Sequence, residues 1–129
     1  MTAAFLSEDW LELQRQAAAD LPPQPSVSAT VEHVVTGAPG GSVVYTTTYE
    51  EGRVAAAALG RGVAPDLTFT LTYYGAQRLA RGELETGAAF MQGALKVEGD
   101  MAKLFWLLEL SHHPEHRAMV GRVAAQTEF

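Results

Sequence analysis

The stretch Gly93-Ala94-Leu95-Lys96-Val97-Glu98-Gly99-Asp100-Met101-Ala102-Lys103-Leu104-Phe105-Trp106-Leu107-Leu108-Glu109-Leu110 decides what kind of fold this chain adopts. Ala94 to Glu98 alternates in polarity with the period of two that a half-buried strand requires. Gly99-Asp100 supplies a turn and then a cap, and Met101 to Leu110 reads as a helix with apolar residues at most positions. Met101, Leu104, Phe105 and Leu108 form one apolar stripe; Trp106, Leu107 and Leu110 form a second, and only Lys103 and Glu109 are charged. A helix apolar almost all round is buried on both sides, meets a partner, or lies between a sheet and a ligand.

Working outward, Leu84 to Gln92 is a helical stretch reaching Gly93, and Tyr73 to Arg81 is a short helix ending at Gly82. Before them Leu67, Phe69 and Leu71 alternate with Thr68, Thr70 and Thr72 as a strand. From Val27 another alternation sets Val27, Ala29, Val31 and Val35 on one face and Ser28, Thr30, Glu32 and Thr36 on the other, with His33 on the apolar side. The turn-rich Gly37 to Ser42 joins it to Val43 to Tyr49 as a hairpin. Glu51-Gly52 closes a second tight turn into Arg53 to Leu59, where four consecutive alanines suit a helix as well as a third strand. At the N-terminal end, Ser7 caps a helix from about Glu8 to Ala19, stopped by Pro22 and Pro23 and expected to pack as a lid. Downstream, Pro114 opens a last helix after Ser111-His112-His113. The order is helix, several antiparallel strands, helices, one strand, helices, which makes a sheet covered by helices in one α+β domain over residues 1–129.

Gly82 to Met101 resembles the C-terminal signature of the sterol carrier protein type 2 family, in which a short helix meets a G-x-L-K strand and a Gly-Asp or Gly-Asn turn. Ala64-Pro65-Asp66-Leu67-Thr68-Phe69-Thr70-Leu71 resembles that family's strand beginning at an acidic residue. The alanine run between Thr47 and Gly62 departs from the more apolar, aromatic strand of the family. The resemblance implies a five-stranded, mostly antiparallel sheet with helices on one face, enclosing an apolar tunnel for a fatty acid, fatty acyl-CoA, sterol or similar lipid. It does not imply catalysis, and the same fold is also found appended to larger enzymes.

On the residues alone the apolar stripe of Met101 to Leu110 is better explained by core packing than by a ligand wall, and the resemblance reverses that order. Phe90, Met91 and Met101 flank the signature strand, and methionine's flexible, polarizable chain suits a cavity that must fit varied alkyl shapes. With Phe69, Leu95, Val97, Leu104, Phe105 and Leu108 they make up the expected ligand-binding set. At about 25 cal/mol per Å², burying on the order of 400 Å² of ligand is worth roughly 10 kcal/mol before association costs, so few polar anchors are needed.

The composition narrows the partners. Nine Lys and Arg against fifteen Asp and Glu give a formal charge of −6, which works against binding nucleic acid. The absence of cysteine excludes disulfides, thiol nucleophiles and thiolate metal sites, and makes a cytoplasmic setting the expectation. No apolar run reaches the roughly twenty residues of a transmembrane helix, and no basic, apolar leader opens the sequence. His112, His113, Glu115 and His116 are close in sequence, but adjacent helical side chains diverge, so neither a metal nor another cofactor is expected. No nucleophile elbow, phosphate loop, dinucleotide fingerprint or zinc helix is present.

Two other readings stand beside the carrier. One is a small enzyme acting on a hydrophobic substrate in an α+β cone, using Tyr45, Tyr49, Tyr73 or Tyr74 with a buried carboxylate. The other is a protein-interaction module, with Met119, Val120 and Val123 extending the apolar surface; a homodimer is compatible with lipid binding as well.

Overall fold

The computed structural model describes residues 2–19, 21–24, 28–62 and 64–129. Val27, which the alternation assigns to the first long strand, lies outside these residues. In chain order the elements are β1 (Ala3–Ala4), α1 (Glu8–Ala18), β2 (Ala29–Ala38), β3 (Gly41–Glu50), β4 (Arg53–Leu59), β5 (Leu67–Thr72), α2 (Tyr73–Ala80), α3 (Thr86–Met91), β6 (Leu95–Gly99), α4 (Met101–His112), α5 (Pro114–Ala125) and β7 (Thr127–Glu128). Five strands form one sheet in the order β4-β3-β2-β5-β6. Only the β2–β5 pairing within it is parallel; the other three are antiparallel.

Local chemistry explains the element boundaries. The Ser7 side chain accepts from the Trp10 amide at the start of α1, and Thr72 accepts from the Gly75 amide at the start of α2. Asp100 caps α4 by accepting from the amides of Ala102 and Lys103, and Pro114 stands at the first turn of α5. Glu51 and Gly52 both take positive φ, the backbone that a two-residue hairpin turn needs, and this turn delivers the alanine run to β3 as β4. Ladder pairing to β3 overrides the helical preference of the alanines.

The sheet's register arranges its inward residues in rows. Tyr45, His33, Phe69 and Val97 lie side by side across β3, β2, β5 and β6, followed on one side by Val43, Val35, Leu71 and Leu95. Val31, Val35 and Leu67 are fully buried, and the opposite face is rich in half-buried threonines. Glu32 departs from its expected solvated position: it is 6% exposed and pairs with Arg61.

Asp66 fastens three elements where β5 begins. Its amide donates to the Thr30 carbonyl at 2.8 Å, and its carboxylate accepts from the Thr30 amide at 2.8 Å, which fixes the parallel register of β5 on β2. Its carbonyl accepts from the Asp100 amide at 2.9 Å, and its carboxylate pairs with Lys103 on α4 at 3.0 Å. The Thr30 hydrogen bond, and after it Lys103, hold this carboxyl below the usual aspartate range. Gly99 passes so close that a Cβ there would stand 2.1 Å from the Asp66 carbonyl oxygen, at a φ of 123°. Gly99→Ala is expected to cost about 2 kcal/mol or more, because both the contact and the backbone conformation exclude a side chain. Chemical denaturation of the variant against the parent checks this.

Candidate functional site

Between the inward face of the sheet and the helices lies a cavity of about 170 Å³. From the sheet it is bordered by His33, Tyr45, Tyr49, Phe69, Leu71 and Leu95. Trp10, Gln14 and Ala18 of α1 close one side, and Ala76, Leu79 and Ala80 of α2 another. Helix α5 adds His116, Met119, Val120 and Val123, while α4 adds only Leu107, Leu110 and Ser111. A smaller pocket of about 100 Å³ adjoins it, sharing Leu79, Thr86, Ser111, His116 and Val120. Glu85 lies at that second pocket and is 3.2 Å from His112 and 3.3 Å from Arg117.

The cavity has an aromatic wall. His33 stacks on Tyr45 with ring centroids 4.3 Å apart, and Phe69 meets His33 edge-on at 5.4 Å. Trp10 reaches the same Tyr45 edge-on at 5.8 Å, and Phe5 backs Trp10 at 4.9 Å. The chain's two ends meet behind this wall: β1 pairs in parallel with β7, and the ring of Phe129 lies 5.2 Å from that of Phe5. Nothing in the local pattern of Ala3-Ala4 or Thr127-Glu128 signals that pairing.

Burial sets the charge state of the wall. It pushes the Tyr45 hydroxyl up, with Tyr49 adding to the effect, and pushes Tyr49 itself up to about 12. The His33 imidazole is pushed down to about 3. The residue is half-buried and borders the cavity, while its Nε2 is wholly enclosed. His116 is lowered by burial and then by its neighbour His113. Trp10 Nε1, His33 Nε2 and His116 Nδ1 are buried without a hydrogen-bond partner among the described residues, and all three residues border the cavity.

Of the residues the sequence singled out, the structure brings Phe69 and Leu95 to the cavity. Phe90, Val97 and Leu108 are partly buried against the core, and Leu104 is fully buried within it. Met91, Met101 and Phe105 are exposed, Met91 by 82% and Phe105 by 61%. None of these seven borders the cavity. Helix α4 turns Leu104, Leu107, Leu110 and Ser111 inward, which splits the expected Met101–Leu104–Phe105–Leu108 stripe: Leu104 is buried, Leu108 is half-buried against the core, and Met101 and Phe105 are exposed. Its orientation follows from the Asp100 cap and the Lys103–Asp66 pair, which lie outside the apolar pattern. The lining from Trp10, Ala76 and Ala80 carries no local signal, because small and aromatic residues on amphipathic helices fill cores and line cavities alike.

The histidines near the start of α5 separate. His112 faces Glu85, and His116 faces the cavity. No group of three His, Cys, Asp or Glu side chains among the described residues is arranged to hold a metal ion, and no helix among them is long and apolar enough to cross a membrane.

Residues 8–109 match the SCP-2 sterol transfer family. The chain belongs to that family. A comparison with curated protein sequences gave no match. Among solved structures, a conserved hypothetical protein from Thermus thermophilus superposes with a TM-score of 0.74 at 19% identity, covering 93% of this chain and 90% of its own. A crystal structure of sterol carrier protein 2 gives 0.71 at 16% identity, covering 96% and 99%. Palmitated SCP2L2 from Aedes aegypti gives 0.65 at 21% identity, covering 83% and 96%. At these identities the likeness is one of fold, and the five-stranded α+β architecture is that of sterol carrier proteins. Membership in the SCP-2 family supports lipid binding or transfer as the role of the domain.

Two outcomes test this geometry. Leu104→Ala is expected to cost about 3 kcal/mol of folding stability, whereas Phe105→Ala on the same helix changes it by less than about 1 kcal/mol; paired urea melts distinguish them. Below about pH 6.5 the unfolded chain takes up a proton at His33 that the folded protein refuses down to about pH 3, so stability falls as pH is lowered through that window. Melts of His33→Phe across the same range should show a shallower decline than those of the parent.

Proposed function

We propose that this domain is a noncatalytic carrier of an apolar small molecule, held between the sheet and helices α1, α2, α4 and α5. The cavity behind the aromatic wall carries this reading, and Phe69 and Leu95 are the expected contact residues that border it. A void of this size receives one compact apolar group, so a longer alkyl chain must spread the lining or emerge through its opening. The negative charge favours such a ligand over nucleic acid. The proposal takes residues 1–129 as one lipid-binding unit working in the cytoplasm.

The enzyme reading needs a carboxylate beside a tyrosine in the cavity. Tyr45 and Tyr49 border it, but the buried Glu32 belongs to the opposite face and is paired with Arg61. The lining therefore supports binding rather than proton transfer. The protein-interaction reading loses its expected surface, because Met119 and Val123 are buried and, with Val120, line the cavity instead of extending an outer face. The large apolar side chains that are exposed are others, Met91, Phe105 and Trp106 among them, and a homodimer through α3 and α4 is compatible with a filled cavity.

The decisive experiment is native mass spectrometry of the purified protein, followed by organic extraction. A stoichiometric apolar molecule is expected, either copurifying or taken up from added lipid. Val123→Phe, which fills the cavity from α5, should abolish uptake while leaving the far-ultraviolet circular dichroism spectrum unchanged. Uptake undiminished in that variant would sink the assignment of the cavity.

A further inference from the structure

We propose that cargo enters and leaves along the seam between the start of α1 and helix α2, and that the β1–β7 pairing with the Phe129 ring is the clasp that holds this seam shut. The inference rests on the carrier reading and adds a route to it. Both strands lie outside residues 8–109, the part of the chain that matches the family, so membership does not imply the clasp.

Phe5, immediately after β1, belongs to the cavity wall, as does Trp10 in the first turn of α1. The Phe5 ring reaches Tyr73 at the start of α2, with centroids 5.8 Å apart, and Phe129 at 5.2 Å. The Phe129 ring in turn lies 4.5 Å from the guanidinium of Arg81, the residue that ends α2. Two aromatic rings thus tie β1 to both ends of this helix, and its cavity residues Ala76, Leu79 and Ala80 fall between those contacts in the chain.

The fastening is slight. β1 and β7 contribute two residues each, whereas the pairings of the main sheet run over at least five. Beside them, the Ala3 amide donates to the Gln126 carbonyl at 2.8 Å and the Phe5 amide to the Glu128 carbonyl at 2.9 Å. So short a pairing opens locally at far lower cost than the rest of the molecule. Leu6, next to Phe5, holds a φ of 66°, a left-handed conformation in which the Cβ of a leucine is crowded. Release of β1 lets Leu6 leave that conformation, which offsets part of the cost of opening. Helix α1 also packs on β4 and α5, so it stays docked while Phe5 swings away. The other walls are held more firmly: the sheet by its ladders, and α4 by the Lys103–Asp66 pair. The adjoining pocket suits an apolar molecule less well, because Glu85 and Arg117 stand at it.

Ala4 and Glu128 are register partners, both exposed, and paired positions on adjacent strands stand about 5 Å apart, within the reach of a disulfide. The chain has no cysteine of its own to interfere. The test is stopped-flow uptake and release of Nile red by the full chain carrying Ala4→Cys together with Glu128→Cys, oxidised and reduced, reading the part of the signal that Val123→Phe abolishes. Oxidation should slow both rates at least about tenfold while changing the dissociation constant less than about twofold, and a reductant should restore them. Phe129→Ala alone should speed both several-fold while keeping the parent's circular dichroism spectrum. Oxidised and reduced forms that exchange the dye at equal rates, or Phe129→Ala exchanging it no faster than the parent, would overturn the clasp and leave the carrier reading standing. A parent that takes up neither Nile red nor oleic acid would remove the carrier reading and this inference together.

Discussion

The fold depends on the close approach of the β6–α4 turn to the start of β5. There the Asp66 carboxylate and backbone hold Thr30 on one side and Asp100 on the other, and Gly99 is the residue that lets the two chains pass. The parallel β2–β5 pairing has no hairpin to set its register, so something must fix it from outside the ladder. The hydrogen bonds between Asp66 and Thr30 do this, and the Lys103 pair carries the same constraint into α4. Sheet order and helix orientation are therefore set at one corner of the molecule.

That orientation has a direct consequence for the site. Once α4 presents Leu104, Leu107 and Leu110 inward, only the later part of the helix reaches the cavity, and α1, α2 and α5 supply the rest of the helical wall. The sheet contributes the aromatic row centred on His33 and Tyr45, whose side chains are large enough to hold neighbouring elements apart. Small residues such as Ala18, Ala76 and Ala80 on the facing helices leave space that larger side chains would fill. The cavity thus arises from pairing bulky sheet residues with small helical ones, with α1 as the cover.

The interior is neutral in a chain that is acidic overall. Near the cavity Glu85 is paired with Arg117 and lies against His112, and burial keeps His33 and Tyr45 in the lining uncharged. Such an interior stabilises apolar ligands through area removed from water. Membership in the SCP-2 family supports lipid binding or transfer, and a mainly apolar cavity is compatible with that role.

The sequence by itself determined the elements. The alternation of β2 and β5, the caps at Ser7 and Asp100, the hairpin turn at Glu51-Gly52 and Pro114 opening α5 are local chemistry and were legible as such. The Gly82 to Met101 signature also pointed to the family. Only the tertiary structure decided that the alanine run is a strand, because that depends on a partner strand. It alone joined β1 to β7 across the length of the chain. It also chose which side of α4 faces inward: a helix apolar almost all round has no pattern to orient it, so contacts at its ends decide. The site followed that choice, with Phe69 and Leu95 reaching the cavity while Met91, Met101 and Phe105 lie on the surface.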